Sequence, residues 1–418
     1  MGDLISNLPD ALLRDILSFL PTKQAVVTSI LSKRWMPLWR SVPTLDFDDS
    51  CVNSEDTYDR FVQAVYAVIF SRDLHLPIHK FRLNCYTNSY HPNYDPANIS
   101  DWVNAVVQRR VHHLDLYLRS LYHQPPPNLS SIFTCKTLVV LKLRECNLEP
   151  ISSVDLPFLK VMHLELLWFS KRGCLAQLLS GCPLLEDFKA SFLYFHEDVT
   201  DTEFKTLPKL LRAELSARTD NFLLGVVNNV KVLRIDWIER SLCKGICPYD
   251  FPMFHNLAHI ELEYNSYNND WSEVVEFLKC CPKLQVLIIN QPNIRFYESY
   301  LLEEPANWEY PPSVPKCILL HLKRCCLNHY RGAACEFEFA RYIMKNGRSL
   351  ERMTIYSGAD VDKQERLKKY SAEVDAIVCS MMFEHANSLL QCTTKKLALK
   401  NKVVFGASEQ WHAPSLQL

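Results

Sequence analysis

The residues best equipped for chemistry in this chain are its paired carboxylates, its histidines and its cysteines, and their spacing decides how much they can do. Glu261 and Glu263 stand two apart in the run Ile260-Glu261-Leu262-Glu263, so on a strand both carboxylates face the same side. Paired carboxylates can divide acid and base roles between them. On a sheet they can equally well meet a partner protein. His112 and His113 are adjacent, which on a strand turns the rings to opposite faces and keeps them from gripping one metal ion. One packed and one solvated imidazole is the expected arrangement. Cys243 and Cys247 are four apart, while Cys280-Cys281 and Cys325-Cys326 are neighbours, so none reproduces a paired Cys-x-x-Cys zinc spacing. With only nine glycines there is neither a phosphate-binding loop nor a dinucleotide fingerprint, and no Gly-x-Ser-x-Gly, His-Glu-x-x-His or kinase signature. The reading is a protein without catalytic residues, metal or cofactor.

The elements that carry these residues repeat. An apolar residue, two variable ones and then apolar-x-apolar recur from about Ile78 onward, as in Leu138-Val139-Val140-Leu141-Lys142-Leu143, Val230-Lys231-Val232-Leu233-Arg234-Ile235 and Leu284-Gln285-Val286-Leu287-Ile288-Ile289. Fainter copies stand at Phe81-Arg82-Leu83, Leu114-Asp115-Leu116, Phe188-Lys189-Ala190, Ala213-Glu214-Leu215 and Met353-Thr354-Ile355. Strand centres about 20 to 33 residues apart fall near the period of leucine-rich repeats. Phrases such as Gly181-Cys182-Pro183-Leu184 and Cys281-Pro282-Lys283-Leu284 end a preceding helix and begin the next strand. Each unit is then a strand with a returning helix or loop, and stacking the units buries apolar positions that one unit cannot cover. The expected fold class is α/β, an irregular parallel solenoid with a concave strand face. That face would present Lys142, Glu165, Lys189, Glu214, Arg234, Glu261, Glu263 and Lys323, whose signs alternate. The Pro- and Asn-rich stretches Tyr90 to Asn98 and Gln124 to Asn128 read as loop insertions.

The first forty-five residues differ in kind. Leu8, Leu12, Leu13, Ile16, Leu17 and Leu20 wind onto one stripe of a helix that tolerates Pro9 in its first turn and stops at Pro21. Val26, Val27, Ile30 and Leu31 give a second short apolar helix, and Ser32 is a possible N-cap for a third that carries Trp35 and Trp39, with Pro37 leaving its end open. Three helices of this size cannot enclose so many large side chains, so part of them must cover a partner or the next domain. Asp46 to Asn53 reads as a polar connector, followed by a helix over Tyr58 to Phe70 that buries Phe61, Val65, Val68 and Ile69.

Composition narrows the class. Forty-six basic and forty-seven acidic residues give a formal charge of -1 without a basic stripe, so nucleic-acid binding is not expected. The longest apolar run, Ala64 to Phe70, is far too short to span a bilayer. Sixteen cysteines scattered through apolar repeats, with no leader-like start, point to an intracellular protein of nucleus or cytoplasm with reduced thiols.

The motif Leu-Pro-Asp-x-Leu-Leu-x-x-Ile-Leu-Ser-Phe-Leu-Pro-Thr-Lys over residues 8–23, ending Leu-Ser-Lys-Arg-Trp-x-x-Leu-Trp over 31–39, resembles the F-box of plant F-box proteins with leucine-rich repeats. Trp308-Glu309, Val314-Pro315-Lys316-Cys317, Tyr330-Arg331-Gly332 and the helix-like run Glu336 to Gly347 resemble the FBD domain found at the C-terminus of many such proteins. The helix would bury Phe337, Ala340, Ile343 and Met344, and the module would close the solenoid end. Together with the connector at 46–75 and the repeats at 76–300, the resemblance implies an F-box at 1–45 and an FBD domain at 301–375, while the tail at 376–418 departs from the family's pattern and is expected to be partly disordered. It implies that Leu8, Pro9, Leu12, Leu13, Ile16 and Leu17, then Leu20, Pro21, Leu31, Trp35, Leu38 and Trp39, hold a Skp-type adaptor and through it a cullin. The repeats would select a target protein for ubiquitination. Alternatives are a small-molecule co-receptor of the same ligase class and an interaction scaffold outside ubiquitination.

Overall fold

The computed structural model describes residues 5, 8–73, 75–85, 94–119, 125–148, 151–197, 204–216, 222–238, 251–265, 271–291, 308, 310–330, 334–357 and 403–407. They form two compact units, Met1–Leu210 and Leu211–Leu418.

The first unit opens with α1 (Asp10–Leu17) and α2 (Thr22–Val27), followed by 3-10 turns at Thr28–Ile30 and Leu38–Ser41. The expected third helix is absent. Around Trp35 the backbone makes only short-range bonds, Trp35 N to Ser32 O at 3.0 Å and Leu38 N to Trp35 O at 3.1 Å. Pro37 has no N–H to continue an α-helical ladder, so the chain tightens into turns. Next come β1 (Thr44–Asp48), α3 (Glu55–Phe70), β2 (Lys80–Cys85), α4 (Pro96–Val107), β3 (His113–Leu118), β4 (Val140–Arg144), β5 (Asn147–Leu148), β6 (Val161–Lys171), α5 (Arg172–Ser180) and β7 (Asp187–Glu197). The strands are parallel in the order β1-β2-β3-β4-β6-β7, with β5 beside the end of β6.

The second unit holds β8 (Arg212–Leu215), α6 (Phe222–Val226), β9 (Val232–Ile238), β10 (His259–Asn265), α7 (Ser272–Lys279), β11 (Val286–Asn290), α8 (Lys316–Leu320), β12 (Arg324–Tyr330), α9 (Ala334–Asn346), β13 (Arg352–Ser357) and β14 (Val403–Ala407). These strands also pair in parallel, in chain order.

The repeat pattern becomes two apolar rows per unit. In the first unit Leu45, Phe81, Leu114, Leu141, Met162 and Phe188 share one register. In the second, Ala213, Leu233, Ile260, Leu287, Cys325 and Met353 do the same, and every member of both rows is buried. Each fully buried large side chain contributes roughly 1.5–3 kcal/mol relative to exposure. The row cysteine explains the thiols: Cys325 stands where other strands carry Leu or Ile. Cys182 and Cys281 occupy the same turn of their repeats, each donating to the carbonyl four residues back, Leu178 and Phe277. The twelve cysteines of the described residues are all free.

Several expectations change. The ladder begins across the boundary read between F-box and connector, at Thr44, because Leu45 and Phe47 alternate with polar residues in the first strand. Asn98 belongs to α4, not a loop, since Asp95 caps the helix through Ala97 N at 2.8 Å and Pro96 fits its first turn; residues 90–93 lie outside the described residues. The helix over residues 58–70 starts three residues earlier, at a Ser54–Thr57 capping box. The FBD-like segment does not close the sheet. It supplies one more strand–helix–strand unit, and the outer edge of β13 pairs with β14. Its helix α9 buries Phe339, Ala340, Ile343 and Met344, with Phe337 only half-buried. Phe339 wins because it meets Trp271 at 4.6 Å between ring centroids. The remaining tail, 358–402 and 408–418, lies outside the described residues, as does the pair Cys243 and Cys247. No described helix is long and apolar enough to cross a membrane.

Candidate adaptor face and repeat faces

The N-terminal segment packs a core of Leu13, Leu17, Ala25, Trp35, Leu38 and Val42, with Leu8, Leu20 and Trp39 partly buried against it. Its opposite side is apolar too. Leu12, Ile16 and Phe19 form a second stripe at i, i+4, i+7 on and beyond α1, with Phe19 86% exposed. Val27, Ile30, Leu31 and Met36 are exposed as well, Ile30 at 81%. The twelve candidate contacts therefore divide. Leu12, Ile16, Leu31, Pro9 and Pro21 are exposed, whereas Leu13, Leu17, Trp35 and Leu38 are enclosed within the segment. The broad apolar arc of α1 is split between a side packed into the segment's core and a side left exposed. Phe19, Val27, Ile30 and Met36 were absent from the candidates; their signal was apolar character without a place in the inward stripe. Arg34 fixes the turn carrying Trp35 and Met36, because its guanidinium bonds Asp10 Oδ1 at 2.7 Å and also donates to the Leu8 carbonyl.

On the repeat face of the first unit, Asp46, Arg82, Asp115, Lys142, His163 and Lys189 occupy one register across six strands. Arg82 meets Asp46 at 3.4 Å, and Arg144, on the next row with Glu165, meets Asp115 at 3.4 Å. Beyond these rows the strands share an unusual step. Glu145, Leu166 and Phe192 have φ of 50°, 53° and 53°, each directly after the registered trio Arg144, Glu165 and Ser191. Positive φ is costly for branched and bulky residues, and here it shifts the side-chain alternation by one. The half-exposed rings of Trp168 and Tyr194 then stack at 5.2 Å with 20° between planes, and Arg144 lies over the Tyr117 ring at 5.7 Å. No periodicity in the sequence announces this shift.

On the second unit's face, Glu214, Arg234 and Glu261 share a row, and Asp236, Glu263 and Asn290 share the next. Arg234 reaches Glu263 at 3.0 Å, and Asn290 Nδ2 donates to Glu261 at 2.9 Å and to Glu263 at 2.8 Å. Burial, reinforced by Glu263, pushes the Asp236 carboxyl up. The Glu261–Glu263 pair is thus held in a surface network of donors. Signs do not alternate here: four carboxylates surround one arginine. Lys323 lies off this face, in the turn before β12, where its backbone N–H bonds Gln285 O. His112 packs edge-on against His79 at 5.0 Å while His113 is exposed, and burial with nearby Lys80 lowers the His113 pKa. Among the described residues no group of three His, Cys, Asp or Glu side chains could hold a metal ion.

Known proteins match this chain over most of its length. Residues 5–46 match a family model described as F-box domain and residues 309–355 one described as FBD. Residues 99–198 match the leucine-rich repeats of "FBD-associated F-box protein At5g56370". The Arabidopsis thaliana "F-box/FBD/LRR-repeat protein At4g00160" is 30% identical over 92% of this chain and 95% of its own length. "F-box/FBD/LRR-repeat protein At3g52680" from the same plant is 30% identical over 93% and 94%. F-box proteins generally act as receptors in ubiquitin ligases built on a Skp-type adaptor. With an F-box match at the N-terminus, parallel strand–helix repeats after it and relatives 30% identical over most of its length, this chain belongs to the plant F-box/FBD/LRR-repeat family.

Proposed function

We propose that the chain is a target-receptor subunit of a cullin-based ubiquitin ligase, binding the Skp-type adaptor through the outward stripe of α1 and the neighbouring turns. The observation that carries this is the cluster of exposed Leu12, Ile16, Phe19, Ile30 and Leu31 on a segment with its own filled core. So many large apolar side chains left exposed on one small module mark a protein contact. A target protein would lie on the repeat faces, with the Tyr117, Arg144, Trp168 and Tyr194 cluster offering the side-chain types that dominate protein contacts. Ubiquitin transfer would be accelerated by proximity, with no reacting group from this chain.

The test is co-purification of the full chain with a plant Skp-type adaptor and cullin, against the double variant Ile16→Asp, Phe19→Asp. Retention of both partners by the wild type and their loss from a variant that unfolds normally supports the reading. Equal retention by the variant removes this face from it, and adaptor binding without cullin favours a scaffold role.

A further inference from the structure

The junction between the docking segment and the first strand–helix unit is built on a buried cation. Arg72, just past α3, is 3% exposed. Its Nη1 donates to the Trp39 carbonyl, inside the 3-10 turn that finishes the docking segment, at 3.3 Å, and its Nη2 to the carbonyl of Val42, which follows that turn. Arg109, past the end of α4, repeats the device one element on. Its Nη1 reaches Ala105 O at 2.9 Å and its Nη2 reaches Ile69 O, in the last turn of α3, at 3.2 Å. Among the described residues neither guanidinium makes an ion pair, and the Nε of each has no partner.

Two neighbouring buried guanidiniums without a carboxylate are costly, and burial together with the Arg109 charge holds the Arg72 pKa down to about 10. An apolar side chain of similar length would fill the site at lower electrostatic cost. What it would lack is direction. A planar fork bonds two carbonyls at fixed angles, and a cation suits the carbonyl end of a helical turn. A second joint lies close by, where Asp46 N of β1 donates to the buried Thr22 Oγ1 of α2 at 2.7 Å.

We propose that Arg72 is a positioning residue that locks the docking segment in one orientation on the first unit, so that its apolar face and the strand face of β2 to β7 keep a set separation. The role in ubiquitin transfer rests on the ligase reading above; the lock itself does not.

The experiment places nitroxides on exposed Lys23 of α2 and exposed Lys136, through unnatural amino acids in the full chain bound to adaptor, and measures the distance distribution by pulsed electron resonance. Arg72→Met keeps the buried stem and removes the fork. The expected result is unchanged co-purification of adaptor with a distribution about twofold broader, since a loosened hinge samples more orientations. Arg72→Lys, which keeps the charge without the fork, should broaden it less. A folded Arg72→Met chain with a distribution as narrow as wild type overturns the proposal. Should Arg72→Met not fold, Arg72→Lys decides in the same way. Failure of the wild-type chain to bind adaptor would count against the ligase reading alone, because the distance measurement can be made on the free chain.

Discussion

Single side chains divide the N-terminal segment into a buried part that holds it together and an exposed apolar part, the surface proposed for the adaptor. Leu17 is 1% exposed in the segment core, so Leu17→Ala should cost about 2–5 kcal/mol in denaturant unfolding. Ile16, its neighbour in sequence, is 45% exposed, and Ile16→Ala should leave unfolding within about 0.5 kcal/mol while weakening adaptor binding by about tenfold or more. A reversed pattern would mean that α1 is rotated about its axis in solution. The thiols give a second check. Burial pushes Cys146 and Cys182 up to about 12, whereas Cys51 is exposed. Iodoacetamide at pH 8 should label Cys51 in the native chain and reach Cys146 and Cys182 only after unfolding, as read by mass spectrometry. The same shifts predict a pH effect. A thiol pKa raised by folding contributes stability that is complete below the unfolded value, about 8.5, and is lost as pH climbs toward the folded value. Unfolding midpoints should therefore fall progressively from about pH 9 upward.

At the level of elements, short-range geometry sets where strands begin and how they bend. Gly181 ends α5, and a Cβ there would collide with Val154 Cγ1 and sit 2.9 Å from Val154 O. Close approach, not a left-handed backbone, demands the glycine. Gly181→Ala should destabilise by about 1–3 kcal/mol in thermal or denaturant unfolding, because backbone must move to admit one methyl. The registered positive-φ step makes the opposite demand. Leu166→Gly relieves backbone strain and gives up a half-buried side chain, while Leu166→Val places a β-branched residue where φ is 53°. The valine variant should be the less stable by about 1–2 kcal/mol, the usual size of such strain. Equal stabilities would show that the step relaxes in solution.

For the molecule as a whole, docking segment and repeats are not separable by a cut. Val42 and Leu45 are both buried, and β1 starts at Thr44, so removal of residues 1–45 takes two of the five residues of the first strand with it. Such a truncation should aggregate or lose several degrees in melting temperature, while the Ile16→Asp, Phe19→Asp chain melts as wild type. A comparison of the two by light scattering and calorimetry checks this. At the C-terminal end the sheet continues past the FBD-like segment to Val403–Ala407, so that segment is an internal unit of the ladder.

What the sequence by itself determined is what repeats. Inward positions alternate along each strand and recur from strand to strand, so even the faint copies at Phe81, Ala213 and Met353 take their places in the rows. The docking motif was legible for a similar reason, as a dense apolar helix between prolines. Tertiary structure alone decided which of its leucines turn inward, because the apolar arc of α1 is wider than its core and only packing against Ala25, Trp35 and Leu38 chooses a side. It also decided that Asp46 lies in a strand, since a five-residue alternation becomes legible only when Arg82 stands beside it. The step at Glu145, Leu166 and Phe192 was hidden most fully: backbone sign leaves no trace in composition when glycine is not used, and it is held by the neighbouring strands that share it.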